Sequence, residues 1–143
     1  MKLKVLLVED DHIQRANVRQ AIENALDAEV ATISTESEFH RDFERIAANP
    51  PQIAVVDVML RWANPASDMP LAPAEVSSNP EQAGLRCASL LRNDERTNGV
   101  EVILYSVLPN DSFGAPVPEG TECLVKELDY QNLIDAMKKK LAG

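Results

Sequence analysis

Five polar side chains that could take part in chemistry follow directly after short apolar runs in this sequence. They are Glu9, Asp10, Asp57, Ser106 and Lys126. The carboxyl ends of parallel strands share one edge of a sheet, and open α/β sheets bind ligands at that edge. If the apolar runs are parallel strands, this edge brings together three carboxylates, one hydroxyl group and one ammonium group. We therefore expect a single crevice that carries all five side chains.

The charge of this group predicts a divalent-cation site. Three carboxylates a few ångström apart repel one another unless a cation lies among them or some are protonated. Mg²⁺ suits such a place, because it prefers oxygen ligands and keeps several of its waters. Once the cation and Lys126 neutralise the oxygens of a phosphoryl group, Ser106 can donate a hydrogen bond to it. Asp57 can then attack phosphorus and form an aspartyl phosphate.

Alternating strands and helices must position these residues. Buried apolar runs predict strands over residues 3–8, 29–33, 53–56, 100–105 and 122–125. Apolar residues at helical spacing, among them Ile13 in the first helix, predict helices over residues 12–26, 35–49, 80–91 and 129–141. Thr35 begins a capping-box pattern, and Asn79 and Asp129 are predicted to cap the last two helices. This alternation predicts a doubly wound parallel sheet with helices on both faces.

Two segments interrupt the alternation. Residues 61–79 contain three prolines and several Ser, Ala and Asn, which predicts a long loop without regular structure. Loops of this length are often functional or mobile. Residues 109–120 contain three prolines and two glycines where a fourth helix would be expected, and we predict at most a turn of helix there.

Composition narrows the class of protein. The 143 residues suit one domain over 1–143, and the net charge of −9 argues against direct nucleic-acid binding. No apolar run is long enough for membrane insertion, and the N-terminal residues do not resemble a signal peptide. Cys87 and Cys123 lack metal-ligand spacing, which favours two reduced thiols. We expect a cytoplasmic protein.

The sequence resembles the response-regulator receiver domains of two-component signalling. The resemblance rests on residues 6–11, 55–60 and 124–126 together with Ser106, and it spans nearly the whole chain. It implies a flavodoxin-like, or CheY-like, α/β fold with a five-stranded parallel sheet of order 2-1-3-4-5. The fourth helix of that fold is expected to be degenerate here, in residues 109–120.

The resemblance also implies a role for each candidate residue. Glu9 and Asp10 would be the acidic pair that binds Mg²⁺, and Asp57 would be the phosphoacceptor and a further ligand. The main-chain carbonyl of Met59 would complete the protein ligands. Ser106 would follow the phosphoryl group and Lys126 would contact it. Asp11 falls outside this pair and is interpreted as a residue that begins the first helix.

A phosphorelay function follows from the resemblance. The chain would not be an enzyme; it would take a phosphoryl group on Asp57 from a histidine kinase or a histidine phosphotransfer protein. Phosphorylation would then change the binding of a downstream protein, which the sequence does not identify. A homodimer is left open by the same resemblance.

The sequence departs from the family at four places. The insertion at 61–79 lies directly after the phosphoacceptor run, and it is either a lid or partner surface around Trp62 or a tolerated, disordered loop. The family's proline after the lysine, which usually forms a cis peptide bond, is Glu127, and its switch aromatic is Cys123. With the degenerate fourth helix, these differences predict a signalling face that works differently from that of the family.

Three other classes of protein fit the sequence less well. A non-phosphorylated interaction module with the same fold is the main alternative, although such a module has no need of three repelling carboxylates. A haloacid-dehalogenase-type enzyme would need a second carboxylate two residues after Asp57, where Met59 stands. A flavin protein would need phosphate-binding Gly, Ser and Thr after the first strand, which is acidic here. Met59 and Leu108 are apolar where the family often has polar groups near the hydrolytic water, which predicts slow self-dephosphorylation.

Overall fold

Five parallel strands form one sheet in the computed structural model, which describes residues 2–63, 72–109 and 112–142. The strands are β1 Leu3–Val8, β2 Ala28–Ile33, β3 Ile53–Val56, β4 Glu101–Ser106 and β5 Thr121–Val125. Their order is β2-β1-β3-β4-β5, and every pair is parallel. The predicted sheet and its order are therefore confirmed, with strand ends within one residue of those predicted.

Five α-helices accompany the sheet within the described residues. They are α1 His12–Ala25, α2 Glu36–Ala48, α3 Ala74–Ser78, α4 Ala83–Asn93 and α5 Gln131–Ala142. A short 3₁₀ helix at Pro80–Gln82 leads into α4, so the predicted start at Pro80 is confirmed. The proposed cap at Asn79 is wrong, because its side chain makes no capping hydrogen bond. Asp129 accepts a hydrogen bond from the Gln131 amide, as a residue at the start of α5 should.

Side-chain caps begin α1 and α2. Asp11 Oδ1 accepts hydrogen bonds from the Ile13 and Gln14 amides, which confirms its predicted role at the start of α1. Thr35 caps α2 by accepting from the Glu38 amide at 3.2 Å. The reciprocal half of the capping box differs, since Glu38 accepts from the Ser34 amide instead of the Thr35 amide.

Each face of the sheet is buried beneath a pair of helices. On one face, Val18 and Ile22 of α1 and Leu133 and Met137 of α5 pack on the strands. On the other face the packing comes from α2 and α4, with Phe39 at the centre. Because alternate strand residues enter both cores, the central strand β3 is apolar and buried along its whole length. Ile13 does not belong to either core: it is 60% exposed, so its predicted place on the buried face of α1 is wrong.

The two interrupting segments have different structures. Part of the 61–79 segment is helical, at α3, which corrects the prediction of a loop without regular structure; residues 64–71 lie outside the described part. Between β4 and β5, the described residues 107–109 and 112–120 contain no α-helix, which agrees with the predicted loss of the fourth helix. Phe113 from this segment is buried in the α2–α4 core and covers part of the sheet face where a helix would pack.

No helix of the described residues is long and apolar enough to span a bilayer.

Candidate functional site

The three predicted carboxylates lie together at the carboxyl edge of the sheet. β1 ends at Val8 and β3 at Val56, and these two residues are paired in the sheet. Glu9 and Asp57 continue the strands, because the Glu9 amide donates to the Ile33 carbonyl and the Asp57 amide to the Val8 carbonyl. One carboxylate oxygen from each of Glu9, Asp10 and Asp57 lies within 4.8 Å of the other two.

Lys126 joins two of these carboxylates. Its Nζ lies 2.7 Å from Glu9 Oε1 and 3.1 Å from Asp57 Oδ2. The Lys126 amide donates to the Ser106 carbonyl, which fixes the position of the lysine beyond the end of β5. Glu9 is 3% exposed, and the Lys126 and Asp57 side chains are each 11% exposed, so the ammonium group and both carboxylates are largely shielded from water. The sequence predicted this convergence, which requires contacts across 117 and 69 residues.

Burial and neighbouring charges shift the pKa values of Glu9 and Lys126 in this cluster. Burial raises the pKa of Glu9 from 4.5 to about 7, the charge of Asp57 adds to that effect, and the hydrogen bond from Lys126 opposes it. Burial would lower the pKa of Lys126, but the charge of Asp57 and the hydrogen bond to Glu9 outweigh it and raise this pKa above 10.5. Lys126 is therefore held as an ammonium group between Glu9 and Asp57.

Asp10 is contacted by a residue that sequence reasoning did not assign to the site. Arg61 donates to Asp10 Oδ2 twice, through its amide at 3.1 Å and through its Nε at 3.4 Å. Arg15 of α1 also contacts this loop: it donates hydrogen bonds to the main-chain carbonyls of Glu9 at 2.9 Å and Asp10 at 3.5 Å. Neither arginine follows a strand, so a search for polar residues at strand ends does not find them.

Ser106 lies at the end of β4 and Met59 follows β3, and the two residues make different hydrogen bonds. Ser106 ends β4 and is 1% exposed; its hydroxyl accepts a hydrogen bond from the Leu108 amide at 3.2 Å. The Met59 amide donates to Asp57 Oδ1 at 3.1 Å, which fixes the orientation of that carboxylate. The Met59 and Leu108 side chains are 47% and 41% exposed, so two apolar groups face solvent close to the site.

The donor set fits a hard divalent cation. Carboxylate oxygens are the ligands that Mg²⁺ prefers, and three of them converge here from two adjacent strand ends. Asp10 is 18% exposed in its side chain, which leaves room for the waters that Mg²⁺ retains. Glu9, Asp10 and Asp57 are therefore suitable residues to hold this ion, whereas the part of the Met59 carbonyl stays a prediction.

Solved structures with this architecture are numerous. A signal receiver domain of two-component signal transduction (histidine kinase) from Clostridium thermocellum is 15% identical, with a TM-score of 0.72 over 99% of this chain and 98% of its own. A putative response regulator from Chloroflexus aurantiacus is 17% identical, with a TM-score of 0.69 over the whole of both chains. The response regulator TrrA of Thermotoga maritima, solved in complex with Mg²⁺-BeF, is 17% identical, with a TM-score of 0.68 over 98% of this chain and 99% of its own.

The chain has the fold of a response-regulator receiver domain. No family model matches the sequence, and no curated protein matches it. At identities of 15–17% the likeness therefore lies in the fold, while the chemistry must be argued from the residues of this chain.

Within this receiver fold, Gly84 packs directly against the backbone that follows β3. The Gly84 amide donates to the Val58 carbonyl at 2.8 Å. A Cβ atom at this position would overlap the Asp57 carbonyl oxygen, so only glycine lets α4 approach so closely. Gly84 thus brings the chain back to the residues that follow β3 after the insertion.

Two of the departures from the family, at Glu127 and Cys123, lie in the described part of the structure. The peptide bond between Lys126 and Glu127 is trans. Tyr105, which is 2% exposed, accepts a hydrogen bond from the Glu127 amide at 3.2 Å and donates to Asn132 at 3.3 Å. A buried tyrosine on β4 therefore fixes the turn after Lys126, while Cys123 is half-buried on β5.

The described ends of the insertion are attached to the receiver fold near the site. The Arg61 and Trp62 carbonyls accept hydrogen bonds from the Glu36 and Ser37 amides at the start of α2. The Trp62 ring also contacts the His40 ring, with centroids 5.7 Å apart. The predicted lid or partner surface around Trp62 is not tested by these contacts, since residues 64–71 lie outside the described part.

Proposed function

We propose that this chain is a phospho-acceptor receiver that takes a phosphoryl group on Asp57 from a histidine kinase or histidine phosphotransfer protein. The observation that carries the proposal is the convergence of Glu9, Asp10 and Asp57 within 4.8 Å, with Lys126 bonded to two of them. A structural module gains nothing from three carboxylates in one shielded crevice, because their repulsion costs stability. The receiver fold of its structural neighbours supports the same conclusion.

Each residue has a part in the transfer. The Met59 amide orients the Asp57 carboxylate, so that one of its oxygens can form a bond to phosphorus while the bond between phosphorus and the donor breaks. Lys126 lies against Asp57 Oδ2 and can contact the phosphoryl oxygens once they arrive. A bound Mg²⁺ would neutralise further negative charge on those oxygens. Ser106, at the end of β4, would follow the phosphoryl group with its hydroxyl, which accepts a hydrogen bond from the Leu108 amide.

The product would be a single acylphosphate for each chain, so the protein acts as a signalling switch and is not an enzyme with turnover of a separate substrate. Phosphorylation would add negative charge on Asp57, beside Glu9, and this charge would attract Lys126. The contacts that hold the loops at this edge would then change. A downstream protein that binds those loops would sense the difference. Its identity does not follow from the site.

Two observations favour the alternative of a non-phosphorylated interaction module. Lys126 already pairs with both Glu9 and Asp57, and the described residues between β4 and β5 lack the helix found at that place in the family. A module that only binds a partner could keep such a lysine as a fixed internal counter-ion. Phosphorylation chemistry separates the two functions directly.

The test is intact-mass measurement after incubation with acetyl phosphate and Mg²⁺. The parent chain, Asp57→Asn and Asp135→Asn are treated alike; Asp135 is an exposed aspartate on α5 that pairs with Gln131, and it serves as the matched control. We expect one added phosphoryl group in the parent and in Asp135→Asn, none in Asp57→Asn, and none in the parent when Mg²⁺ is chelated.

Addition that persists in Asp57→Asn would refute Asp57 as the acceptor. If no chain gains mass although Mg²⁺ binds, the measurement is repeated with a phosphorylated histidine phosphotransfer protein as the donor. Failure with that donor too would establish the interaction module instead.

A further inference from the structure

Arg61 places a positively charged side chain at the acidic site. It is the first residue of the insertion, and both its amide and its Nε donate to the same oxygen, Asp10 Oδ2. The Arg61 side chain is 50% exposed and that of Asp10 is 18% exposed, so the ion pair lies at the open side of the site. Lys126 pairs with Glu9 and Asp57 but makes no recorded ion pair with Asp10 among the described residues. The arginine therefore supplies the positive charge at Asp10.

The same residue connects the site to the insertion. While its guanidinium group and amide contact Asp10, its carbonyl accepts a hydrogen bond from the Glu36 amide at 3.0 Å. The next carbonyl, that of Trp62, accepts from the Ser37 amide at 2.8 Å. Arg61 thus lies between Asp10 and the N-terminus of α2.

A cation at the carboxylates must share Asp10 with this arginine. A divalent ion bound to Asp10 is repelled by a guanidinium group 3.4 Å from the same carboxylate oxygen. Because the side chain is half exposed, it can leave Asp10 for solvent at low cost, whereas the amide remains fixed by the backbone.

We propose that Arg61 is an internal competitor of the divalent cation at Asp10, so that cation binding displaces its side chain and alters the surroundings of Trp62. The proposal rests on the function proposed above, since it requires that Glu9, Asp10 and Asp57 bind Mg²⁺. It assigns to the first residue of the insertion a means of setting the Mg²⁺ affinity of the site.

The experiment compares Mg²⁺ binding by calorimetry in the parent, Arg61→Gln, Arg61→Lys and Arg45→Gln. Arg45 is 80% exposed in the last turn of α2, toward the opposite edge of the sheet, so its variant removes the same charge far from the site. We expect Arg61→Gln to bind Mg²⁺ about two- to fivefold more tightly, which is the range for loss of an exposed ion pair. Arg45→Gln and Arg61→Lys should stay close to the parent, the first because it leaves the site intact and the second because it keeps the charge.

Trp62 provides a second measurement, since it is the single tryptophan of the chain and follows Arg61 directly. Mg²⁺ should shift its fluorescence emission in the parent and less so in Arg61→Gln. The main-chain hydrogen bonds of Arg61 do not need its side chain, and thermal unfolding of each variant checks that the fold is kept.

The outcomes separate this inference from the function on which it rests. If Arg61→Gln binds Mg²⁺ no more tightly than Arg45→Gln, or if Mg²⁺ leaves Trp62 emission unchanged in the parent, the competition is refuted while the site stands. If the parent and every variant fail to bind Mg²⁺, the proposed cation site and the competition are refuted together.

Discussion

Removing Arg86 should expose the cost of a buried charge in this protein. Glu36, at the start of α2, is 0% exposed and receives two hydrogen bonds from Arg86 of α4, at 2.7 Å from Nε and 2.9 Å from Nη2. His40 Nε2 lies farther away, 3.7 Å from the same carboxylate. Arg86 also donates to the Asn79 carbonyl at 2.6 Å, so it holds the end of the insertion as well.

The loss of stability depends on which partner of the pair is removed, because Glu36 is fully buried and Arg86 is partly exposed. In Arg86→Met the carboxylate of Glu36 stays buried without its main partner, which typically costs about 3 to 5 kcal/mol. We expect about 3 kcal/mol at pH 7, because Glu36 can avoid part of the penalty by taking up a proton. For a chain of this size that lowers the unfolding midpoint by roughly 10 °C. Glu36→Gln should cost less, since the Arg86 side chain, 19% exposed, keeps Asn79 and water as partners.

The pH dependence gives the sharper test. Burial would raise the pKa of Glu36, but the hydrogen bonds from Arg86 and His40, together with the charges of both residues, outweigh burial and hold this pKa below its ordinary 4.5. In the parent, Glu36 therefore contributes stability above pH 4.5 and loses it as the pH falls through the folded-state pKa. Without Arg86, burial is opposed by His40 alone, so the pKa of Glu36 is higher in the variant than in the parent, and the variant loses less stability than the parent as the pH falls. The stability difference between parent and variant should narrow from pH 7 to pH 4.

The assay is urea unfolding of the parent, Arg86→Met and Arg96→Met at both pH values. Arg96 forms an Arg–Glu pair of the same chemical type with Glu44, but there the side chains are 47% and 79% exposed. Water can solvate Glu44 when Arg96 is lost, so this control should lose far less stability than Arg86→Met. Equal losses in the two variants, or a loss in Arg86→Met that does not change with pH, would refute the reasoning from burial.

Two further predictions concern the residues that follow β3. Gly84→Ala should destabilise the fold by about 1 to 3 kcal/mol and slow phosphorylation, because the new Cβ displaces the Asp57 backbone; urea unfolding and intact-mass kinetics measure the two effects. Gly99→Ala is its control, since a Cβ there meets no atom within 4 Å, and equal effects of both changes would contradict the packing argument. The phosphorylated chain should lose its phosphoryl group slowly, because the half-exposed Met59 and Leu108 side chains offer no polar group to orient a hydrolytic water. A half-life of seconds, followed by intact mass after removal of the donor, would show that this is wrong.

The sequence alone determined the sheet and the composition of its functional edge. Apolar runs identified every strand of the sheet, and parallel pairing then required Glu9, Asp57 and Lys126 to emerge at the same edge. These inferences succeed because the pattern of a buried strand is local, and the topology of parallel strands turns local positions into a common location.

Tertiary structure decided what surrounds that edge. Glu36 appears in the sequence as a charged residue in the first turn of a helix, yet it is fully buried against Arg86, 50 residues away. Arg61 appears as the start of a loop, yet it reaches Asp10 across 51 residues. Neither partner can be found from spacing, because ion pairs between separate elements depend on how α2, α4 and the insertion pack.

Burial of single helix residues was also settled only by packing. Ile13 has the spacing of a core residue, but its side chain, in the first turn of α1, is 60% exposed. Phe113 lies in a segment without helical periodicity, and yet it is buried in the α2–α4 core. Periodicity tells which side of an element can be apolar, whereas the neighbouring elements determine which of those residues leave water.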